Sequence, residues 1–179
     1  YLTAWTTTPW TLPSNLALCV GPAIEYALVE ELESGDRLVF AVSRLAAYDK
    51  PLAAMLANPG GTADAAAAGD RFRFVRTVAA SELAGLRYEP LFPYFRDRAA
   101  PGDSARSGSG AFVVLEDGFV TTEDGTGIVH LAPAYGEDDF RVCRRAGIDL
   151  VDPLDAEARF LPPIVDYQGQ VCKDADRAI

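Results

Sequence analysis

Residues 5 to 15 read WTTTPWTLPSN. Three β-branched threonines in succession favour an extended strand, and Pro9, which has no N–H to give to a ladder, ends it. The expectation is therefore a strand over Leu2 to Thr7. The alternation of a strand then puts Thr6 and Thr8 on one face and Thr7 on the other. Where Pro9 breaks the ladder, backbone groups and hydroxyls become free. A hydroxyl both donates and accepts, so this opened end can hold a water or a ribose oxygen. Trp10 then serves either as a core plug or as a flat apolar wall beside a base or ribose. Asn15 suits a turn after Pro13.

Outward from this stretch, most apolar runs are short, alternating and bounded by Gly, Pro or Asp, which is the pattern of strands. Strands are predicted over Leu16 to Val20, Tyr26 to Leu32, Arg37 to Val42, Arg71 to Val78, Ala111 to Leu115, Phe119 to Thr121 and Gly127 to Leu131. The segment ESGDR, residues 33 to 37, reads as a hairpin turn. Helical spacing occurs over residues 43 to 57, where Pro51 must start or kink a segment, and over residues 137 to 147, which has an acidic first turn and Gly147 as a stop. Residues 58 to 70 and 98 to 110 are rich in Gly, Ala, Ser and Pro without a hydrophobic period, and are expected to be mobile surface insertions. The sum is an α+β fold: a mostly antiparallel, β-barrel-like core with a few short peripheral helices, in one domain over residues 1 to 179. The chain opens Tyr1-Leu2-Thr3 without a methionine, and the expectation is a piece excised from a longer protein.

Composition narrows the chemistry. Three widely spaced cysteines, Cys19, Cys143 and Cys172, contain no CxxC pair, which disfavours a disulfide framework and a structural zinc and fits a reducing cytoplasm. With a single histidine, a catalytic zinc would need carboxylates almost alone, so neither metal nor cofactor is expected. No apolar window reaches the roughly 18 to 20 residues of a membrane span. The net charge of −10 argues, taken alone, against a nucleic-acid binder, which needs cations to neutralise phosphates.

A second stretch carries chemistry: GTGIVHLAPAYGEDDF, residues 125 to 140. His130 stands in a strand between glycines that permit close backbone approach and Pro133, which ends the strand, so its side chain lies near a sheet edge. Asp138 and Asp139 suit the first turn of a helix, where the macrodipole favours acids. The Pro-Ala-Tyr-Gly loop before them aims that helix start back toward His130. An aspartate held there is a natural partner for a cationic amine. The chain has no GxSxG elbow, no P-loop and no GxGxxG.

Together, TTTPWTLPSN and GTGIVHLAPAYGEDDF resemble the two signature segments of the editing domain inserted in class I isoleucyl-tRNA synthetases. LFPYF near residue 91 and the closing GQVCKDADRAI fit the same pattern. The valyl and leucyl enzymes carry a similar fold, but their threonine segment typically reads TTRP, so TTTPW favours the isoleucyl branch. The HIGH and KMSKS signatures of amino-acid activation are absent.

The resemblance implies post-transfer hydrolysis of valyl-tRNA(Ile), with valyl-adenylate as a second substrate. One methylene is worth about 1 to 3 kcal/mol in a pocket, a magnitude known from this very family, so a second site must sort by size. By resemblance, Asp139 holds the α-ammonium and His130 lines the side-chain pocket and clashes with isoleucine. Thr7 and Thr8 contact the ester and place the water, with Thr6 in support. Trp10 stands beside the terminal adenosine, and Asn15 belongs to the same lining. Tyr135 stands where many relatives have His or Phe, and Leu131 where many have Thr. The sequence names no general base: His130 is the candidate by pKa, yet its implied role is steric, and a neighbouring ribose hydroxyl is the other candidate. The implied partners are the 3′ end of mischarged tRNA(Ile) and the remainder of the synthetase in cis, with the isolated domain a monomer. An acidic module suffices if it grips only that flexible end. The readings left open are a valyl-type domain acting on threonyl ester, a small-molecule esterase, and a non-catalytic barrel that stacks single-stranded bases.

Overall fold

The computed structural model describes residues 1–57, 67–99 and 110–179. Among these, six strands and three short α-helices are present: β1 (Ala17–Val20), β2 (Glu25–Glu31), β3 (Arg37–Ala41), β4 (Phe72–Ala79), β5 (Val113–Glu116) and β6 (Ile128–Leu131), with α1 (Lys50–Leu56), α2 (Ala80–Leu83) and α3 (Glu137–Arg145). The strands form two three-stranded sheets, ordered β3-β2-β4 and β5-β1-β6. The α+β class is as expected. The barrel-like closure is not: neither sheet closes among the described residues. The chain divides into two compact units, one of Tyr1–Trp5, Cys19–Ala84 and Glu116–Val129, the other of Thr6–Leu18, Gly85–Leu115 and His130–Ile179.

In the first unit, β2 pairs antiparallel with both β3 and β4. The predicted turn at residues 33 to 37 joins β2 to β3: Glu31 N–H donates to Asp36 and Gly35 N–H to Glu31, and Gly35 takes a φ of 75° that other residues adopt at a cost. Alternation along β4 buries Phe72, Phe74 and Val78 while Arg73 and Arg76 face water. Phe72 and Phe74 join Ala27, Val29, Phe40, Leu45 and Leu52 in one apolar core. Pro51 starts rather than kinks its helix, because it occupies the first turn of α1, where no N–H is needed. Asp49 caps that helix by accepting from Leu52 N–H at 3.0 Å.

Two predicted strands are absent. Over Leu2 to Thr7 the chain makes a single parallel bridge, Leu2 with Val39, and then bends. A hydroxyl outcompetes the ladder here: Thr6 Oγ1 accepts the N–H of Thr8 at 3.0 Å, which closes a local turn ahead of the 3-10 helix Pro9–Ser14. The strand over Phe119 to Thr121 fails for a similar reason, since Asp117 Oδ1 accepts Phe119 N–H at 3.1 Å. Of the two expected mobile insertions, residues 58–66 and 100–109 lie outside the described residues. Residues 67–70 pair back onto β4 through an Ala68–Arg73 bridge and a bond from Gly69 N–H to Phe72 O.

The second unit holds a separate apolar cluster of Phe160, Ile164, Cys172 and Ala175, with Trp10, Tyr94 and Tyr167 packed against it. Helix α3 leaves a backbone loop after β6 and ends at Arg145, and Gly147 just beyond its cap takes the φ of 75° that suits the predicted stop. No described helix is long and apolar enough to cross a membrane.

Candidate active site

All seven residues singled out in the sequence, Thr6, Thr7, Thr8, Trp10, Asn15, His130 and Asp139, belong to the second unit. The local turn brings the Thr6 and Thr8 hydroxyls within 3.2 Å of each other, so the pairing expected from strand alternation arises through a bend instead. Thr7 and Thr8 are exposed. Thr8 also serves as N-cap residue of the 3-10 helix, and its carbonyl accepts from the N–H and the hydroxyl of Thr11, at 3.1 and 2.9 Å. The Thr11 hydroxyl lies 3.1 Å from His130 Nε2. A continuous polar path thus runs from the threonine turn to the histidine of β6.

His130 is buried, and burial lowers its pKa from the ordinary 6.5 to about 4. It is a neutral imidazole at neutral pH. Its Nδ1 has no hydrogen-bond partner among the described residues. Two residues further on, Ala132 N–H donates to Asp139 Oδ2 at 2.9 Å. This bond folds the start of α3 back onto the end of β6, as the Pro-Ala-Tyr-Gly loop implied. Gly136 makes the fold-back possible, because a Cβ there would stand 2.8 Å from Asp139 Oδ1. The Asp139 carboxyl is half-buried. Burial raises its pKa, the Ala132 N–H only partly offsets this, and the neighbouring Asp138 adds to it. Asp138 itself is exposed and pairs with Arg141 at 2.7 Å, one turn along the helix.

Trp10 donates its backbone N–H to Asp176 Oδ1 at 2.9 Å, and its ring meets the Tyr135 ring edge-on at 4.8 Å. Tyr135 in turn donates its hydroxyl to Asp152 at 2.9 Å. Asn15 is occupied by the fold. Its Nδ2 donates to Ala17 O at 2.8 Å and Leu131 O at 3.4 Å, and its Oδ1 accepts the Tyr88 hydroxyl at 2.5 Å. It anchors the end of the threonine segment against β6. A cavity of about 240 Å³ opens in the first unit, beside Trp5, Asp124 and Thr126, and no predicted site residue lines it. No group of three or more His, Cys, Asp or Glu side chains among the described residues could hold a metal ion.

Sequence reasoning missed Thr11, Tyr88 and Gly136. Thr11 lies three residues after Thr8, the spacing at which a hydroxyl turns back onto a carbonyl once the segment is helical rather than extended. Gly136 immediately precedes an acidic first turn, which was the available signal for a close approach. Nothing local marks Tyr88 as the partner of Asn15.

No family model matches the chain. The chain is 50% identical over 181 residues to the isoleucine–tRNA ligase of Treponema denticola, a match that takes in all of this chain and 15% of that protein. It is 43% identical to the isoleucine–tRNA ligase of Bdellovibrio bacteriovorus, over 98% of this chain and 14% of the relative. The ligase of Mycobacterium tuberculosis is 45% identical over all of this chain and 14% of its own length. The crystal structure of GlLeuRS-CP1 superposes with a TM-score of 0.55 over 99% of this chain and 76% of that one, at 16% identity, which speaks to the fold alone. This chain belongs to the isoleucine–tRNA ligase family. It spans about 15% of the length of the relatives it matches. Membership in the isoleucine–tRNA ligases agrees with the TTTPW reading, in which Pro9 is preceded by Thr8 rather than arginine and followed by Trp10.

Proposed function

We propose that this domain hydrolyses the ester of valyl-tRNA(Ile), and valyl-adenylate as a second substrate, for a synthetase whose remaining parts hold the body of the tRNA. The observation that carries the reading is the pairing of a half-buried carboxyl, Asp139, fixed by Ala132 N–H, with a buried neutral histidine two residues upstream of that N–H. A carboxylate so held attracts the α-ammonium of an aminoacyl ester. A neutral imidazole two residues before Ala132 adds no positive charge to compete with the ammonium. Its bulk is suited to limit the length of the amino acid side chain.

In this reading Asp139 anchors the amine, which fixes the position of the ester carbonyl. Water adds to that carbonyl carbon, and the hydroxyls of Thr7 and Thr8 donate to the developing oxyanion and hold the water. The bond from carbon to the ribose oxygen breaks. The ribose oxygen takes up a proton, and valine leaves as its carboxylate. Thr6 keeps Thr8 in place through the 3.2 Å contact of their hydroxyls. Trp10 offers a ring face to the terminal adenosine, and Asn15 holds the wall rather than the substrate, since its donors and acceptor are already engaged. With its pKa near 4, His130 is too weak a base to take the water's proton, which favours the neighbouring ribose hydroxyl as the assisting group.

The test is deacylation of valyl-, threonyl- and isoleucyl-tRNA by this chain. Cleavage of the valyl ester with the isoleucyl ester spared supports the proposal, and His130→Ala is expected to admit the isoleucyl ester. Preference for the threonyl ester would instead indicate a valyl-type domain. Binding of the tRNA end without cleavage of any ester would reduce it to a binding module.

A further inference from the structure

The Thr11–His130 pair decides which ring nitrogen is left for other work. A threonine hydroxyl has one proton. Thr11 Oγ1 lies 2.9 Å from the carbonyl of Thr8, which can only accept, and 3.1 Å from His130 Nε2. If the proton points at the carbonyl, Nε2 must carry its own proton and donate to Oγ1, and the three atoms make two hydrogen bonds. If the proton points at Nε2, they make one, and the proton of the ring then sits on the buried, unpartnered Nδ1. The first arrangement satisfies more groups at a buried site, where each unmade bond is costly. We propose that Thr11 is a positioning residue that fixes His130 as the Nε2–H tautomer, leaving the Nδ1 lone pair as a hydrogen-bond acceptor for an N–H or O–H donor bound at this site. His130 is 9% exposed as a residue, and its Nδ1 is buried with no partner among the described residues. The low pKa adds that the acceptor stays unprotonated across the neutral range.

The donor is read through the editing function proposed above: it is the ammonium or a hydroxyl of the aminoacyl adenosine, or the attacking water. His130 then combines a steric limit with a polar contact, and Thr11, which touches no substrate, sets the polarity of that contact from behind.

The chain has one histidine, so labelling histidine with ¹⁵N gives a single pair of ring signals, and long-range proton–nitrogen correlations report the tautomer directly. The wild-type chain and Thr11→Ser are expected to show Nε2–H. Thr11→Val, which keeps the shape and removes the hydroxyl, is expected to shift the tautomer ratio toward Nδ1–H by roughly fivefold or more. A wild-type signal of the Nδ1–H form, or an unchanged ratio in folded Thr11→Val, overturns the proposal, and the wild-type and serine spectra decide it even if the valine variant does not fold. Adding adenosine that carries valine in a non-hydrolysable amide linkage is expected to move the Nδ1 signal more than Nε2 if the ligand is the donor. An Nδ1 signal already displaced without ligand, and restored on binding, identifies water as the donor. Displacement confined to Nε2 overturns the acceptor role. An analogue that perturbs no signal of the chain counts against the editing reading, while the tautomer result stands by itself.

Discussion

Asp49 in the first unit and Asp139 in the second are both carboxylates at the start of a helix, both accept backbone N–H groups, and both are approached by a glycine that leaves no room for a Cβ. Their environments diverge from there. Asp49 is 3% exposed and accepts from four N–H groups, those of Leu52, Asp70, Arg71 and Phe72, at 2.9 to 3.3 Å. Burial pushes its pKa up, but the four donors outweigh burial and hold it below the ordinary carboxylate value. Asp139 is half-buried and is stabilised as the anion by the backbone N–H groups of Ala132 and of Asp139 itself, but there burial wins, so its pKa is raised. A saturated carboxylate has no capacity left and serves the fold. On the proposed reading, an unsaturated one, kept partly dry, keeps charge capacity for the ammonium of the substrate.

The largest effect that tests this contrast is Asp139→Ala. Loss of the amine anchor is expected to lower valyl-tRNA deacylation at least about 100-fold, the scale of an aligned charged hydrogen bond. Thermal unfolding should change by only about 1 kcal/mol, because the buried Ala132 N–H is the one donor left unpaired. Full activity in a folded variant would remove the functional half of the comparison.

Asp49→Ala inverts the pattern. It strands four backbone donors and uncaps α1, and is expected to cost about 3 kcal/mol or more in chemical denaturation. The molecules that remain folded should deacylate at the wild-type rate. A loss of rate without a loss of stability would show that the two carboxylates are not divided in this way.

How much of this could be read from the sequence differs between the two aspartates. Asp139 was reached through the resemblance carried by residues 125 to 140; the run of acids after Gly136 by itself marks only a helix start. Asp49 was not reached, because three of its four donors come from residues 70 to 72, across a segment that composition marked as an insertion. The hairpin at residues 33 to 37 and strands β1 to β6 were legible from alternation and turn residues alone, with ends shifted by one or two residues. The threonine segment was misread as a strand. β-propensity is an average over packed sheets, and here a local hydroxyl-to-backbone bond wins over the ladder. The barrel was overread for a related reason: alternation reports which strands have a buried face, not whether a sheet closes.

The glycines sharpen the contrast further. Gly136→Ala places a Cβ 2.8 Å from Asp139 Oδ1 at a backbone φ of −148° that alanine accepts, so the carboxyl must rotate while the chain need not. The expectation is a threefold to tenfold loss in kcat/KM with little change in melting temperature. Gly69→Ala places its Cβ 2.1 Å from Asp49 Oδ1, which four bonds prevent from moving, so the cost should fall on stability instead.

The smallest and most discriminating effect is in the pH dependence. The amine anchor works only when Asp139 is ionised, and its raised pKa means that deacylation should begin to fall, on acidification, at a higher pH than an ordinary carboxylate would give. Asp49 has the opposite sign. Its depressed pKa contributes stability that is fully present above the unfolded-state value near 3.8 and is lost only as pH drops through the lower folded value. Activity should therefore decline over a range in which the fold persists, and circular dichroism recorded beside the deacylation rate separates the two. Asp139→Glu, which lengthens the arm but keeps an ionisable carboxyl, should lower the rate yet preserve an acidic limb. Coincident loss of activity and structure would mean that one titration governs both, and the division between a structural and a chemical carboxylate would collapse.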